Sequence, residues 1–261
     1  PEFTQIDLEM SFVDVDDILE MAEGFIKYLY KKVLDVDIET PLPRLTYNEA
    51  MERYGSDKPD TRYGMEIQNI SEAVADSEFV VFKSALENGG SVRAIVIPQA
   101  ASVYTRKEID KLVEYSKGIG AKGLAYVRWV DDEPNASFKK FFTPEQIAEL
   151  MEKLGAKKGD VVLIVADKDK VTLPVLGALR LKTAKKMNLI PEGWNFLWIT
   201  DFPFFEYDEE SGSWMAMHHP FTMPKDECIC YLDNAPEKVV AKAFDLVLNG
   251  TELSSGSIRI N

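Results

Sequence analysis

Over residues 5–12 apolar and polar side chains alternate: Ile6, Leu8, Met10 and Phe12 fall on one side, Gln5, Asp7, Glu9 and Ser11 on the other. A period of two predicts a half-buried strand with one polar face. The period then lengthens. Ile18, Met21, Phe25, Leu29 and Val33 recur at helical spacing and predict a helix to about residue 34, capped by Asp16 or Asp17. After the turn-rich TPLPR, a short helix over 47–54 stops at Gly55, and GSDKPDTR reads as a polar loop and a domain exit.

From residue 62 to 190 the pattern changes to short strands and short helices. The β-branched or aromatic runs 79–82, 92–97, 124–130 and 161–165 predict four strands, with ENGGSVR as a hairpin turn. Thr105 with Glu108 predicts a capping box, Thr143, Pro144 and Gln146 open a second helix closed by Gly155, and a third covers about 173–187. This is an α+β unit with enough apolar sequence for its own core. It reads as an insertion, residues 62–190, between a first part at 1–61 and a second at 191–261. In the second part NFLWITDFPFF and WMAMHHPF predict strands, 236–248 a helix ending at Asn249-Gly250, and TELSSGSIRIN two strands around a Ser/Gly turn.

Charge narrows the partners. Thirty Lys+Arg against 44 Asp+Glu give a net charge of −14, so nucleic acid cannot be held by bulk charge and any RNA contact is local. No run approaches the roughly 18–20 apolar residues of a membrane span, and PEFTQIDLEM lacks a basic and apolar leader. A soluble cytoplasmic protein, with no membrane or DNA partner, is expected. Cys228 and Cys230, one residue apart, read as free thiols. Both ends fall inside strand-like alternations, which predicts a fragment of something longer.

The ionisable residues on apolar strands are the candidate chemistry. Asp7 and Glu9 share a strand face, while Arg259 and Ser257 lie opposite Ile258 and Ile260, with Glu252 nearby. Acids and an arginine over one sheet face suit a small charged ligand, although solvated outer-face residues give the same pattern. His218 and His219 are strand neighbours pointing to opposite faces, so they do not chelate one metal, but one of them can face a cleft. Neither G-x-G-x-x-G, nor G-x-x-x-x-G-K-[ST], nor G-x-S-x-G occurs, which disfavours P-loop, Rossmann and nucleophile-elbow chemistry.

Six strings then point to one family. PEFTQIDLEMSFV resembles the second half of motif 2 of class II aminoacyl-tRNA synthetases. RYGSDKPDTR, GALRL, ITDFPFFE, AMHHPFTMPKD and GTELSSGSIRIN resemble, in order, segments of the bacterial-type aspartyl-tRNA synthetases. The resemblance covers essentially the whole chain. It implies an α+β fold: part of the antiparallel catalytic sheet, interrupted by a GAD-like insertion domain at 62–190.

The resemblance implies activation of L-aspartate with ATP and transfer to tRNA(Asp), with Mg²⁺ as cofactor and a homodimeric parent. By motif, Phe3 is similar to the residue that stacks on adenine, and Asp7 and Glu9 to strand acids facing aspartate. Arg259 is similar to the arginine that grips the substrate's side-chain carboxylate, and His218 to a histidine near its amino group. Glu252 and Asp245 resemble the Mg²⁺ acids, Glu252 also serving ATP. Ser257 is a polar neighbour, and Lys58 and Arg62 are candidate RNA or pocket contacts. A guanidinium fork matches a carboxylate and mismatches an amide, the physical basis for choosing aspartate over asparagine. The anticodon-binding domain, the motif 1 helix and the arginines of motifs 2 and 3 have no counterpart in this sequence, so the isolated chain is expected to be catalytically inactive. The alternative is a non-catalytic GAD-type module binding tRNA or protein, related to tRNA-dependent amidotransferase subunits.

Overall fold

The computed structural model describes residues 2–260. In chain order the elements are α1 (Val15–Leu34), β1 (Arg44–Thr46), α2 (Tyr47–Tyr54), β2 (Gln68–Asn69), α3 (Val80–Glu87), β3 (Ser91–Ile97), α4 (Arg106–Gly118), β4 (Ala125–Arg128) and β5 (Asn135–Ala136). Then come α5 (Pro144–Lys153), β6 (Val161–Asp167), α6 (Asp169–Lys186), β7 (Phe196–Thr200), β8 (Phe205–Asp208), β9 (Ser213–Ala216), β10 (Ala243–Leu248) and β11 (Thr251–Ser257). They divide into two units, one of residues 1–48, 196–248 and 252–261, the other of residues 49–195 and 249–251.

The first unit is built on a sheet of order β1-β7-β10-β11. Strand β1 runs parallel to β7, and β10 antiparallel to it with Asp245 opposite Ile199. Helix α1 supplies Leu19 and Ile26 to a core completed by Ile38, Leu42, Phe196, Trp198, Phe244 and Leu246. The N-cap of α1 is Asp14 rather than Asp16 or Asp17; Asp17 sits at the third helical position and closes the capping box from there. Gly256 is where β11 passes the Phe244 ring: a Cβ there would lie 2.5 Å from Phe244 Cε2, so a side chain has no room.

The second unit is a five-stranded sheet of order β2-β3-β6-β4-β5, antiparallel at every pairing. Strand β6 explains its two-sided burial. Val161, Leu163 and Val165 enter one core with Ile109 and Leu112 of α4 and Leu176 and Leu179 of α6. Val162 and Ile164 enter the other, with Phe82 of α3 and Ile147, Leu150 and Met151 of α5. A pleat that alternates faces and is covered on both requires the unbroken apolar run seen in the sequence.

Several expectations are corrected. The alternating segment at residues 2–12 forms no strand, and Ile6, Leu8, Met10 and Phe12 are exposed. A strand exists only when its N–H and C=O groups meet a neighbour, and among the described residues nothing pairs with this one. Residues 79–82 begin helix α3 instead of forming a strand, so ENGGSVR joins a helix to β3. The helix expected over 236–248 is a single 3₁₀ turn at Pro236–Lys238 followed by strand β10. Strand β10 is buried on both faces, and such a run has no period to tell it from a buried helix. TELSSGSIRIN is one strand plus an isolated bridge at Arg259, not two strands. Thr105 caps α4 without a side-chain hydrogen bond, and the Glu108 carboxylate that would complete a box is engaged by Lys111 and Lys186. Thr143 and Gln146 do form their box. Among the described residues no helix is long and apolar enough to cross a membrane, and Cys228 and Cys230 are both free.

Candidate active site

In the first unit, the end of the chain is stitched to the segment after the histidines. Thr222 bridges Arg259, the Met223 N–H donates to the Ile258 carbonyl at 2.7 Å, and the Ile260 N–H donates to the Phe221 carbonyl at 3.0 Å. This pairing brings Arg259 and Ser257 onto the same stretch of backbone as Thr222, three residues from His219. The Arg259 guanidinium donates to Ser257 Oγ at 3.0 Å, and that hydroxyl lies 3.4 Å from the Thr222 hydroxyl. Arg259 is exposed, and among the described residues it has no carboxylate at ion-pair distance. A guanidinium oriented by a hydroxyl, with no resident counter-charge, can accept a carboxylate through two parallel hydrogen bonds.

The histidines occupy a bend after β9. His218 packs edge-on against the buried Phe202 ring, with centroids 4.5 Å apart. His219 Nδ1 accepts the Phe221 N–H at 3.1 Å, which spends that nitrogen on the turn. They are thus separated by a bend, not by opposite strand faces.

Asp245 is buried within β10 and Glu252 is exposed on the neighbouring β11. A two-residue turn, Asn249-Gly250, with positive φ at both positions joins the strands. Two carboxylates suit Mg²⁺, which takes one or two protein oxygens and completes its shell with phosphate and water. Among the described residues no three His, Cys, Asp or Glu are grouped as an all-protein metal cage.

Phe3, Asp7 and Glu9 are not brought to this cluster. All three are exposed on the strandless segment, and no hydrogen bond or ion pair among the described residues joins either acid to Arg259. Sequence reading also missed the charges that brace the site's scaffold. Lys242 reaches Asp14 at 3.3 Å and Asp226 at 3.4 Å. Burial pulls its pKa down, but the two carboxylates outweigh that and leave it raised. Lys225 pairs with Asp201 at 2.5 Å.

In the second unit, Arg62 is used up inside the GSDKPDTR loop. It forks onto Asp60 at 3.0 and 2.8 Å and donates to the Pro191 carbonyl at 3.0 Å. Burial alone would raise the Asp60 pKa, but the hydrogen bonds from Arg62 hold it below its ordinary value. Lys58 lies 3.7 Å from Asp57. Arg180, from GALRL, is the clamp on the same loop: buried, it donates to the carbonyls of Asp60, Tyr63 and Gly64 at 2.8–3.0 Å and stacks 4.1 Å over the Tyr63 ring. The strings RYGSDKPDTR and GALRL therefore meet in space, and an arginine inside an apolar helical run, with no anion in the sequence nearby, was the signal available.

The family model of class II tRNA synthetases (D, K and N) matches residues 1–261. The chain is 54% identical, over its whole length, to the aspartate–tRNA(Asp/Asn) ligase of Caldanaerobacter subterraneus subsp. tengcongensis. It is 52% identical to the aspartate–tRNA ligase of Clostridium perfringens and to the aspartate–tRNA(Asp/Asn) ligase of Lachnoclostridium phytofermentans. It spans 44% of the length of each of these relatives. Matched from end to end, the chain belongs to the class II tRNA synthetases of the D, K and N group.

Proposed function

We propose that the protein to which this chain belongs is an aspartate–tRNA ligase. Its first step joins the α-carboxylate of L-aspartate to the α-phosphorus of ATP, breaking the bond to pyrophosphate. In the second step a hydroxyl of the terminal ribose of tRNA(Asp) attacks the acyl carbon of aspartyl-adenylate and AMP leaves. Neither step needs a protein nucleophile; both need alignment and neutralised charge.

The observation that carries this reading is Arg259, a guanidinium set by Ser257 with no carboxylate of the described chain opposing it. It takes the side-chain carboxylate of aspartate, with His218 near the amino group. Asp245 and Glu252 would hold Mg²⁺, which would supply positive charge to offset that of the ATP phosphates. Phe3 stacks on adenine, while Asp7 and Glu9 order the substrate once the alternating segment is paired as a strand by sequence beyond the 44% that this chain spans. Until then those three residues are exposed and unaligned, and the 261-residue chain alone does not activate aspartate.

Aspartate-dependent exchange of pyrophosphate into ATP tests both parts. Expected are robust exchange by the protein at its relatives' length, a loss of at least about 100-fold in kcat/KM for Arg259→Lys from the lost fork, and no exchange by the isolated chain. Exchange by the isolated chain at a comparable rate overturns its inactivity, and absence of aspartate-dependent exchange by the longer protein, or an unchanged preference for aspartate over asparagine in Arg259→Lys, overturns the ligase assignment.

A further inference from the structure

Several cations of the second unit sit in ion pairs: Arg53 with Glu66, Arg62 with Asp60, Arg93 with Glu52 and Asp169, Lys117 with Glu114, Lys158 with Asp132. Arg106, Arg128, Lys139 and Lys140 line a single open concavity of about 310 Å³ whose wall contains no Asp or Glu. Among the described residues none of the four has a carboxylate at ion-pair distance. Like charges gathered this way repel one another, and in a chain of net charge −14 their clustering without acids is a local reversal of the overall field.

The backbone around the concavity has the same sign. Arg106 is the first residue of α4, a helix of 13 residues, and the Thr105 side chain makes no capping bond there, so the partial positive charge of the helix start is not offset by a cap. Arg128 is steadied by its bond to the Ala101 carbonyl at 2.8 Å, yet its Nε–H is buried with no acceptor. Donors are in excess throughout. Two aromatic rings, Tyr126 and Phe141, complete the wall, and Phe141 is 45% exposed.

Cations tracking a groove, with an exposed aromatic face beside them, are the chemistry of a nucleic-acid strand: phosphates meet the cations and a base meets the ring. A lone phosphate would use the cations and leave Phe141 without a role. We propose that this concavity binds the phosphodiester backbone of an RNA strand, with Arg106, Lys139 and Lys140 neutralising phosphates and Phe141 stacking on a base. That the RNA is tRNA rests on the ligase reading above; the charge recognition does not.

The test titrates fluorescein-labelled tRNA(Asp) transcript with the 261-residue chain over a range of salt concentrations. Lys139→Ala/Lys140→Ala, both exposed positions, is compared with Lys27→Ala/Lys32→Ala, an equal loss of charge on α1. The expected result is a slope of log K against log salt shallower by about 1 for each phosphate-binding lysine removed, and weaker binding by all RNA sequences alike. The α1 variant keeps the wild-type slope, Phe141→Ala weakens binding without changing the slope, and melting temperatures stay unchanged. Absence of binding by the wild-type chain, equal losses in the two double variants, or displacement of the RNA by inorganic phosphate at equal phosphate concentration overturns the proposal. Pyrophosphate exchange by the longer protein uses no RNA, so failure of the ligase reading and failure of this site are read separately.

Discussion

The carboxylate of Glu23, in the middle of helix α1, accepts the indole N–H of Trp198 on β7 at 3.1 Å, and the same oxygen accepts the Leu42 N–H at 3.2 Å. Both side chains are buried, Trp198 almost completely. One acid therefore ties the helix, a loop and the sheet that carries the candidate site. Glu23→Ala strands two buried donors and is expected to cost about 2–4 kcal/mol, whereas Glu23→Gln keeps a carbonyl acceptor and costs about 1 kcal/mol. Urea unfolding of the two variants measures the difference; equal costs would mean that the bonds contribute nothing net.

Two helical glycines are expected to respond in opposite directions. At Gly177 of α6 an added Cβ would lie 2.4 Å from the Gly55 carbonyl oxygen, while at Gly24 of α1 it would meet nothing within 4 Å. Gly177→Ala forces α6 away from the loop that Arg180 clamps and costs about 1–3 kcal/mol. Gly24→Ala gains roughly 0.5–1 kcal/mol from helix propensity. Thermal melts of the pair decide it, and a stabilising Gly177→Ala refutes the close approach.

Acid should loosen the second unit through Asp60. Its folded pKa lies below the ordinary value, so its contribution is complete above the unfolded pKa of about 4 and is lost as pH falls through the folded one. Arg62→Met removes the guanidinium bonds that lower it and leaves burial, which raises it, opposed by the backbone N–H of residue 62 and the nearby Arg180. The variant is expected to lose roughly 2–3 kcal/mol at neutral pH, less than the roughly 3–5 of a fully buried pair, and, with its folded pKa less depressed, to lose less further stability than the parent as pH falls below about 4. Melting temperature between pH 3 and pH 7 checks this; parallel curves refute it.

The local signals were legible wherever the physics is local. The box at Thr143 and Gln146, the helix stop at Gly55 and the strand runs of β3 and β6 depend on neighbouring residues and on a two-residue pleat, and they appear where expected. The error at β10 had a visible warning. Asn249-Gly250, with both φ positive, is the strongest short hairpin signal available, and it follows an apolar run of strand length. Reading that dipeptide as a helix end hid the hairpin that carries Asp245 and Glu252.

What the sequence by itself determined is the family, the separate core of the middle region and the residues worth testing, because ordered motifs and apolar runs are written along the chain. What only the tertiary structure decided is which of those residues meet. Arg259 finds Ser257 and the backbone beside the histidines, and Arg180 finds the carbonyls of Asp60, Tyr63 and Gly64, 116 to 120 residues away. Asp7 and Glu9 find no partner strand among the described residues. Alternation records a preference for a sheet, but a strand forms only when another backbone is there to accept its hydrogen bonds.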